Sequence, residues 1–279
     1  MHNILNHFIE SLSGIYSRNE IQCICSQVMQ HLCNCNKAAL FATNGIVLTD
    51  GQKEKLDFFI KRLQANEPVQ YVIGYCDFFD IKLHVNKSVL IPRPETEELV
   101  EWILNDNPKS DGSLFDICTG SGCIAITIKK YKPKFTVSAL DFSDDAIHVA
   151  QENAEMNECS VHFLTDDILH PSKAIGERFD IIVSNPPYVM EKEKSAMSPN
   201  VLDYEPSVAL FVPNEDPLRF YQAIGAFGQS HLNAGGKLYF EINETQGKAT
   251  IALLKEQGYK YVTLKKDIFG KDRMIRADI

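Results

Sequence analysis

Leu114-Phe-Asp-Ile-Cys-Thr-Gly-Ser-Gly122 carries a short apolar run into a turn with alternating glycines, and Cys123-Ile-Ala-Ile-Thr-Ile-Lys follows at once. This is the form of a strand that ends in a glycine-rich loop opening a helix. Glycines let such a loop approach a ligand closely, and the first N–H groups of the helix are left free. The same rhythm recurs outward along the chain. Val137 to Leu140, Val161 to Leu164, Ile181 to Ser184 and Leu238 to Ile242 are short apolar runs separated by helical patterns. Alternation of this kind predicts βαβ units and a mostly parallel sheet with helices on both faces, the α/β class. Ligands of such sheets bind beyond the carboxyl ends of the strands.

The loop residues Asp116, Cys118, Thr119, Gly120, Ser121 and Gly122 are therefore the candidate cofactor cradle. Gly120-x-Gly122-x-x-Ala125 fits a dinucleotide fingerprint, and the acid expected about 20 positions later is present as Asp141, where a carboxylate can accept both hydroxyls of a ribose. That arrangement suits a nicotinamide dinucleotide or any other adenosine cofactor. Asp141 can equally cap the helix that begins near Ser143. Asp166 and Asp167, after the third run, can take an adenine amino group or stand as solvated loop acids.

Ser184-Asn-Pro-Pro-Tyr188 follows the fourth run. Two prolines stiffen the backbone and remove its donors, so nearby carbonyls are left to accept hydrogen bonds from something else. The Asn185 side-chain oxygen and the Pro186 carbonyl form a pair suited to the two hydrogens of a planar NH2 group, while Pro187 and Tyr188 can cover its flat face. Nitrogen in a carboxamide or nucleobase is a weak nucleophile because its lone pair is delocalised. Holding both hydrogens turns it toward an electrophile, and the chemistry indicated is in-line methyl transfer driven by positioning. A hydride-transfer enzyme has no evident use for this acceptor pair.

Upstream, apolar residues recur at helical spacing from Ile4 to Leu63. Ser17-x-x-Glu20 reads as a capping box and Thr49-Asp50-Gly51 as a helix start, which predicts a small helical bundle. Tyr71 to Leu90 changes to aromatic and β-branched alternation, a β-hairpin. The expected organisation is a helical bundle over 1–72, a hairpin linker over 73–90 and the α/β domain over 91–279. In Ile91-Pro-Arg-Pro-Glu-Thr-Glu-Glu98 the prolines impose an extended approach to a helix whose first turn holds acidic residues.

With 28 Lys and Arg against 37 Asp and Glu the formal charge is −9, so no global positive field gathers a nucleic-acid backbone. No stretch reaches the roughly 18 apolar residues of a membrane span, and the amino terminus has no leader pattern; the expected location is the cytoplasm. Cys23, Cys25, Cys33 and Cys35 sit two apart within each pair, too close for an ordinary zinc set on a helix, and are expected to be reduced thiols with no metal.

The residues quoted above, with Glu67-Pro-Val-Gln-Tyr-Val-Ile-Gly74, Val89 to Val100, Tyr204-Glu-Pro206, Glu241-Ile242 and Gly270-Lys-Asp-Arg273, occur in the order found in the release factor glutamine methyltransferases, which the chain closely resembles over nearly its whole length. The resemblance implies a class I S-adenosylmethionine-dependent methyltransferase with a seven-stranded Rossmann-like sheet and a small N-terminal helical domain for substrate docking. It implies methylation of the amide nitrogen of the glutamine in the Gly-Gly-Gln loop of peptide chain release factors, with S-adenosylhomocysteine as product, by a monomer that engages no nucleic acid. Carried over by residue, Asp116, Cys118 to Gly122, Asp141 and Asp167 hold the cofactor, Ile168 helps to wall its adenine, Asn185 borders both sites, and Pro186, Pro187 and Tyr188 complete the glutamine site. Ribosomal-protein glutamine methylation and amino methylation of adenine or guanine are the alternatives, because similar tetrads occur in those enzymes. Cys118 stands where the resembled family usually has glycine.

Overall fold

The computed structural model describes residues 2–42, 47–171 and 175–279. The chain divides into two compact units, Met1–Tyr75 with Ser198–Tyr204, and Cys76–Met197 with Glu205–Ile279.

The first unit is helical: α1 (His2–Leu12), α2 (Arg18–Cys33), α3 (Lys37–Ala42), α4 (Asp50–Gln64) and α5 (Val69–Ile73). Both helix starts read from sequence are capping boxes, with Ser17 and Glu20 bonded reciprocally at α2 and Thr49 and Gln52 at α4. The apolar stripes meet in one core that includes Phe8, Leu12, Val28, Met29, Ile60 and Leu63. Arg62 forks onto both oxygens of the buried Glu67 at 2.7 Å and donates to the Val72 carbonyl at 3.0 Å, tying α4 to α5. The short helix α9 (Pro199–Tyr204) belongs to this unit although it lies far along the chain, and its Tyr204 hydroxyl donates to the Ala65 carbonyl at 2.6 Å. Of the cysteines on α2, Cys25 is buried and Cys23 exposed, the opposite faces that a spacing of two requires.

The second unit begins with a hairpin, β1 (Tyr75–Phe78) and β2 (Ile81–His84), then α6 (Pro94–Asp106). The sheet strands and their crossovers follow: β3 (Ser113–Ile117), α7 (Cys123–Tyr131), β4 (Thr136–Asp141), α8 (Asp144–Met156), β5 (His162–Thr165) and β6 (Phe179–Ser184). A two-stranded pair, β7 (Val189–Met190) with β8 (Phe211–Val212), interrupts the series before α10 (Arg219–His231), β9 (Leu232–Glu241), α11 (Gly247–Glu256), β10 (Tyr261–Lys266) and β11 (Asp272–Asp278). The seven-stranded sheet has the order β10-β11-β9-β6-β3-β4-β5. Pairs β3–β4, β4–β5, β3–β6 and β6–β9 are parallel, and β11 is antiparallel to both β9 and β10. The central strands are buried, as their near-continuous apolar runs require. The chain steps outward from β3 to β5 and then returns to β6 on the other side of β3. That reversal places the topological switch point between β3 and β6.

Candidate active site

The loops leaving β3, β4, β5 and β6 converge on one cavity of about 420 Å³. It is lined by Cys118, Thr119, Gly120 and Ser121 from the first loop, Asp141 and Phe142 from the second, Asp167 and Leu169 from the third, and Asn185 and Pro187 from the fourth. Arg93 and Thr96 border it, as do Val208, Phe211, Arg219 and Phe220. Eight of the residues singled out from sequence are thus brought together. Asp116, Gly122, Ile168, Pro186 and Tyr188 are not among the lining residues. Ile168 is packed in the sheet core, and the apolar side chain facing the cavity beside Asp167 is Leu169.

Backbone geometry shapes the first loop. Gly120 and Gly122 have φ of +55° and +81°, and Cys118 between β3 and these glycines has φ of +61°. A side chain in that left-handed region is strained, and the cysteine adopts the bend with its Cβ attached. A Cβ built on Gly120 would meet nothing within 4 Å, so the backbone there faces open cavity, whereas at Gly122 it would press on Ile126 at 2.8 Å. Asp116 is wholly buried. One of its oxygens accepts from the Thr119 hydroxyl at 2.6 Å and from the Ala125 N–H at 3.2 Å, which fastens strand, loop and the first turn of α7 together. Its other oxygen is buried without a partner, and burial pushes this carboxyl up to about 7.

Asp141 accepts from the Gly120 N–H at 2.8 Å and from the Ser143 N–H at 3.0 Å, so it closes the second loop while lining the cavity. Burial raises its pKa, and the backbone N–H donors oppose the rise. Phe142 beside it is 67% exposed, an open aromatic face on the rim. These features fit an adenosine cofactor whose charged end meets the first loop: a glycine approach with open space, and an acid and an aromatic ring on the cavity wall beside it.

At the fourth loop the Ser184 hydroxyl donates to the Ile117 carbonyl at 2.6 Å and pins β6 against β3. The Asn185 amide nitrogen donates to the Thr96 hydroxyl at 3.1 Å, and among the described residues its oxygen has no donor. The Tyr188 side chain packs against the core rather than over the cavity, with its hydroxyl on Glu241 at 3.0 Å. Thr96 also bonds to Glu241, at 2.6 Å. Arg93, the N-cap residue of α6, is anchored by Glu205 at 2.6 Å, and the second Glu205 oxygen accepts from the Ile91 N–H at 3.1 Å. Glu241 and Glu205 were not singled out for their side chains in the sequence. The available signal was an acid closing an otherwise apolar strand run at Glu241; Glu205 had none beyond its place in Tyr204-Glu-Pro206.

A switch-point cavity of this build, on a sheet of this order, defines a class I methyltransferase. Residues 95–202 match the Methyltransferase small domain family and residues 3–74 the PrmC N-terminal domain. The release factor glutamine methyltransferase of Bacteroides thetaiotaomicron is 43% identical over 100% of both chains, and this chain belongs to the release factor glutamine methyltransferase family. The fold is shared with a methyltransferase from Pyrococcus furiosus (TM-score 0.55, 16% identity, 82% of this chain and 98% of that one). It is shared also with a 16S rRNA methyltransferase of T. thermophilus in complex with AdoMet and guanosine (TM-score 0.52, 16% identity, 73% and 49%).

Proposed function

We propose that this enzyme methylates the side-chain amide nitrogen of the glutamine in the Gly-Gly-Gln loop of peptide chain release factors, using S-adenosylmethionine. One observation carries the assignment of the acceptor. Asn185 gives its amide nitrogen to Thr96, so its oxygen is the end available to a substrate NH2 group. The family membership supports the choice of a protein glutamine over other amides.

Asn185 Oδ1 and the Pro186 carbonyl accept the two N–H bonds of the glutamine amide. That grip turns the nitrogen toward the electrophile and stabilises the positive charge that grows on it. The consecutive prolines hold the two acceptors at fixed separation. The proton leaves after the new bond forms, so no side-chain base is needed before it. Bound S-adenosylmethionine supplies an electrophilic methyl carbon on a sulfonium. The loop Cys118–Ser121, braced by Asp116 through Thr119 and Ala125, would hold its methionine end, and Asp141, Phe142, Asp167 and Leu169 would hold its adenosine. Residues 1–72 dock the release factor and 91–279 perform the transfer, with the hairpin over 73–90 between them. A formal charge of −9 disfavours a nucleic-acid substrate.

The test incubates enzyme and methyl donor with unmodified release factor, with ribosomal protein and with nucleic acid in parallel. The expected result is one methyl group on the Gly-Gly-Gln glutamine by peptide mass spectrometry. A methyl on ribosomal protein or on a base, with none on the release factor, overturns the reading. Asn185→Ala is expected to lower turnover by about a hundredfold or more while the unfolding midpoint barely moves.

A further inference from the structure

Behind the cavity wall, side chains from α6, β9 and the loop after β6 form one directional series of hydrogen bonds. Glu241 closes β9 and is 1% exposed. Its two oxygens accept separately, Oε2 from the Thr96 hydroxyl at 2.6 Å and Oε1 from the Tyr188 hydroxyl at 3.0 Å. Among the described residues no cation pairs with it; Arg273 acts on it only at longer range. Burial raises the Glu241 pKa, and the Thr96 and Tyr188 hydroxyls and Arg273 oppose the rise by favouring the ionised form, whose oxygens are acceptors alone. The single Thr96 proton is therefore spent on Glu241, and toward Asn185 the hydroxyl can only accept. The one end of the Asn185 amide that satisfies it is Nδ2, which stands 3.1 Å away. A reversed amide would set two acceptor oxygens against each other in a partly buried place.

We infer that Thr96 and Glu241 are positioning residues that fix the polarity of Asn185, so that its oxygen rather than its NH2 group faces the substrate amide. The inference rests on the reading of Asn185 as the acceptor for that amide. The discriminating property is the direction of the Thr96 hydroxyl, because a reversed Asn185 presents donors to a donor and cannot grip the nitrogen to be methylated. Tyr188, bonded to the other Glu241 oxygen, is held to the same anchor.

The experiment uses the full-length enzyme, measuring kcat and KM with unmodified release factor, S-adenosylmethionine affinity by calorimetry, and thermal unfolding. Thr96→Val keeps the shape and removes the hydroxyl; kcat is expected to fall about tenfold or more with cofactor affinity within about twofold, the size of one lost orienting hydrogen bond. Thr96→Ser restores the hydroxyl and is expected to recover kcat to within about threefold of the parent enzyme. Glu241→Leu removes the acceptor that orients the Thr96 hydroxyl and is expected to lower kcat similarly, and the double variant Thr96→Val/Glu241→Leu to be no worse than the poorer single change, as for residues acting as one unit. If Thr96→Val does not fold, Glu241→Leu decides alone. A Thr96→Val enzyme with unaltered kcat, or a Thr96→Ser enzyme as slow as Thr96→Val, overturns the inference, and where Thr96→Val does not fold so does an unaltered kcat in Glu241→Leu. Failure of the parent enzyme to methylate release factor overturns the proposed function instead, so the two failures are separable.

Discussion

The Gly120 N–H donates to Asp141 Oδ2 at 2.8 Å, joining the loop after β3 to the end of β4. One carboxylate thereby shapes the glycine loop and stands on the cavity wall. Asp141→Ala removes both the brace and the acid available to a ribose. S-adenosylmethionine affinity is expected to fall about tenfold or more, the cost of losing hydrogen bonds to a charged acceptor. Calorimetric titration measures it, and an affinity within twofold of the parent would take Asp141 out of the cofactor site.

Cys118 holds a left-handed backbone at φ +61° with a Cβ attached. The strain of that conformation is about 1–2 kcal/mol for an ordinary residue, and glycine relieves it at some expense in unfolded-chain entropy. Cys118→Gly is expected to leave stability unchanged or raised by up to about 1 kcal/mol. Cys118→Val, branched at Cβ, is expected to destabilise by more than about 1 kcal/mol. Urea unfolding midpoints check both, and a Val variant as stable as the Gly variant would contradict the strain argument.

Asp116 has its pKa raised by burial to about 7. A carboxyl that is easier to protonate when folded contributes stability that is fully present below its ordinary value near 3.8 and lost as pH rises through about 7. Cofactor-free enzyme is therefore expected to lose more stability between pH 5 and pH 8 than Asp116→Asn does. Parallel slopes of unfolding free energy against pH for the two proteins would refute this.

Asn153 on α8 is wholly buried, and its amide has three backbone partners. It donates to the His84 carbonyl at 3.0 Å and the Ser121 carbonyl at 2.9 Å, and accepts from the His84 N–H at 2.6 Å. The hairpin strand β2 and the cofactor loop thus share one side chain. Asn153→Ala leaves those groups unpaired, with an expected loss of about 2–4 kcal/mol of stability and weaker cofactor binding. Asn153→Asp replaces a donor to two carbonyls by an acceptor and is expected to be at least as damaging. A stable Ala variant with unaltered cofactor affinity would remove the tether.

Much of the second unit was legible because its signals are local. The apolar runs at Leu114, Val137, Val161, Ile181 and Leu238 mark five strands of the sheet, and Gly120 and Gly122 mark the turn that a close approach requires. β10 and β11 carry mixed polar residues and were not readable as strands from periodicity; β11 lies between β9 and β10, and that pairing supports it. Ile168 illustrates another limit. In Asp167-Ile-Leu169 either apolar residue could face the ligand, and only the path of the chain beyond β5 turns Leu169 outward and Ile168 into the core.

Taken alone, the order of residues determined the α/β class, the two capping boxes of the helical unit, the glycine loop, and the stiff Asn-Pro-Pro-Tyr turn at Asn185, since each is written within a few consecutive positions. The partners of that tetrad were settled by the tertiary structure. Thr96 lies 89 positions from Asn185 and Glu241 lies 145 from Thr96, and their meeting depends on α6 and β9 being carried to the same end of one sheet. A hydroxyl or carboxylate has no meaning as a donor or acceptor until its neighbour is known, and for these residues the neighbour is supplied by strand order and not by spacing along the chain.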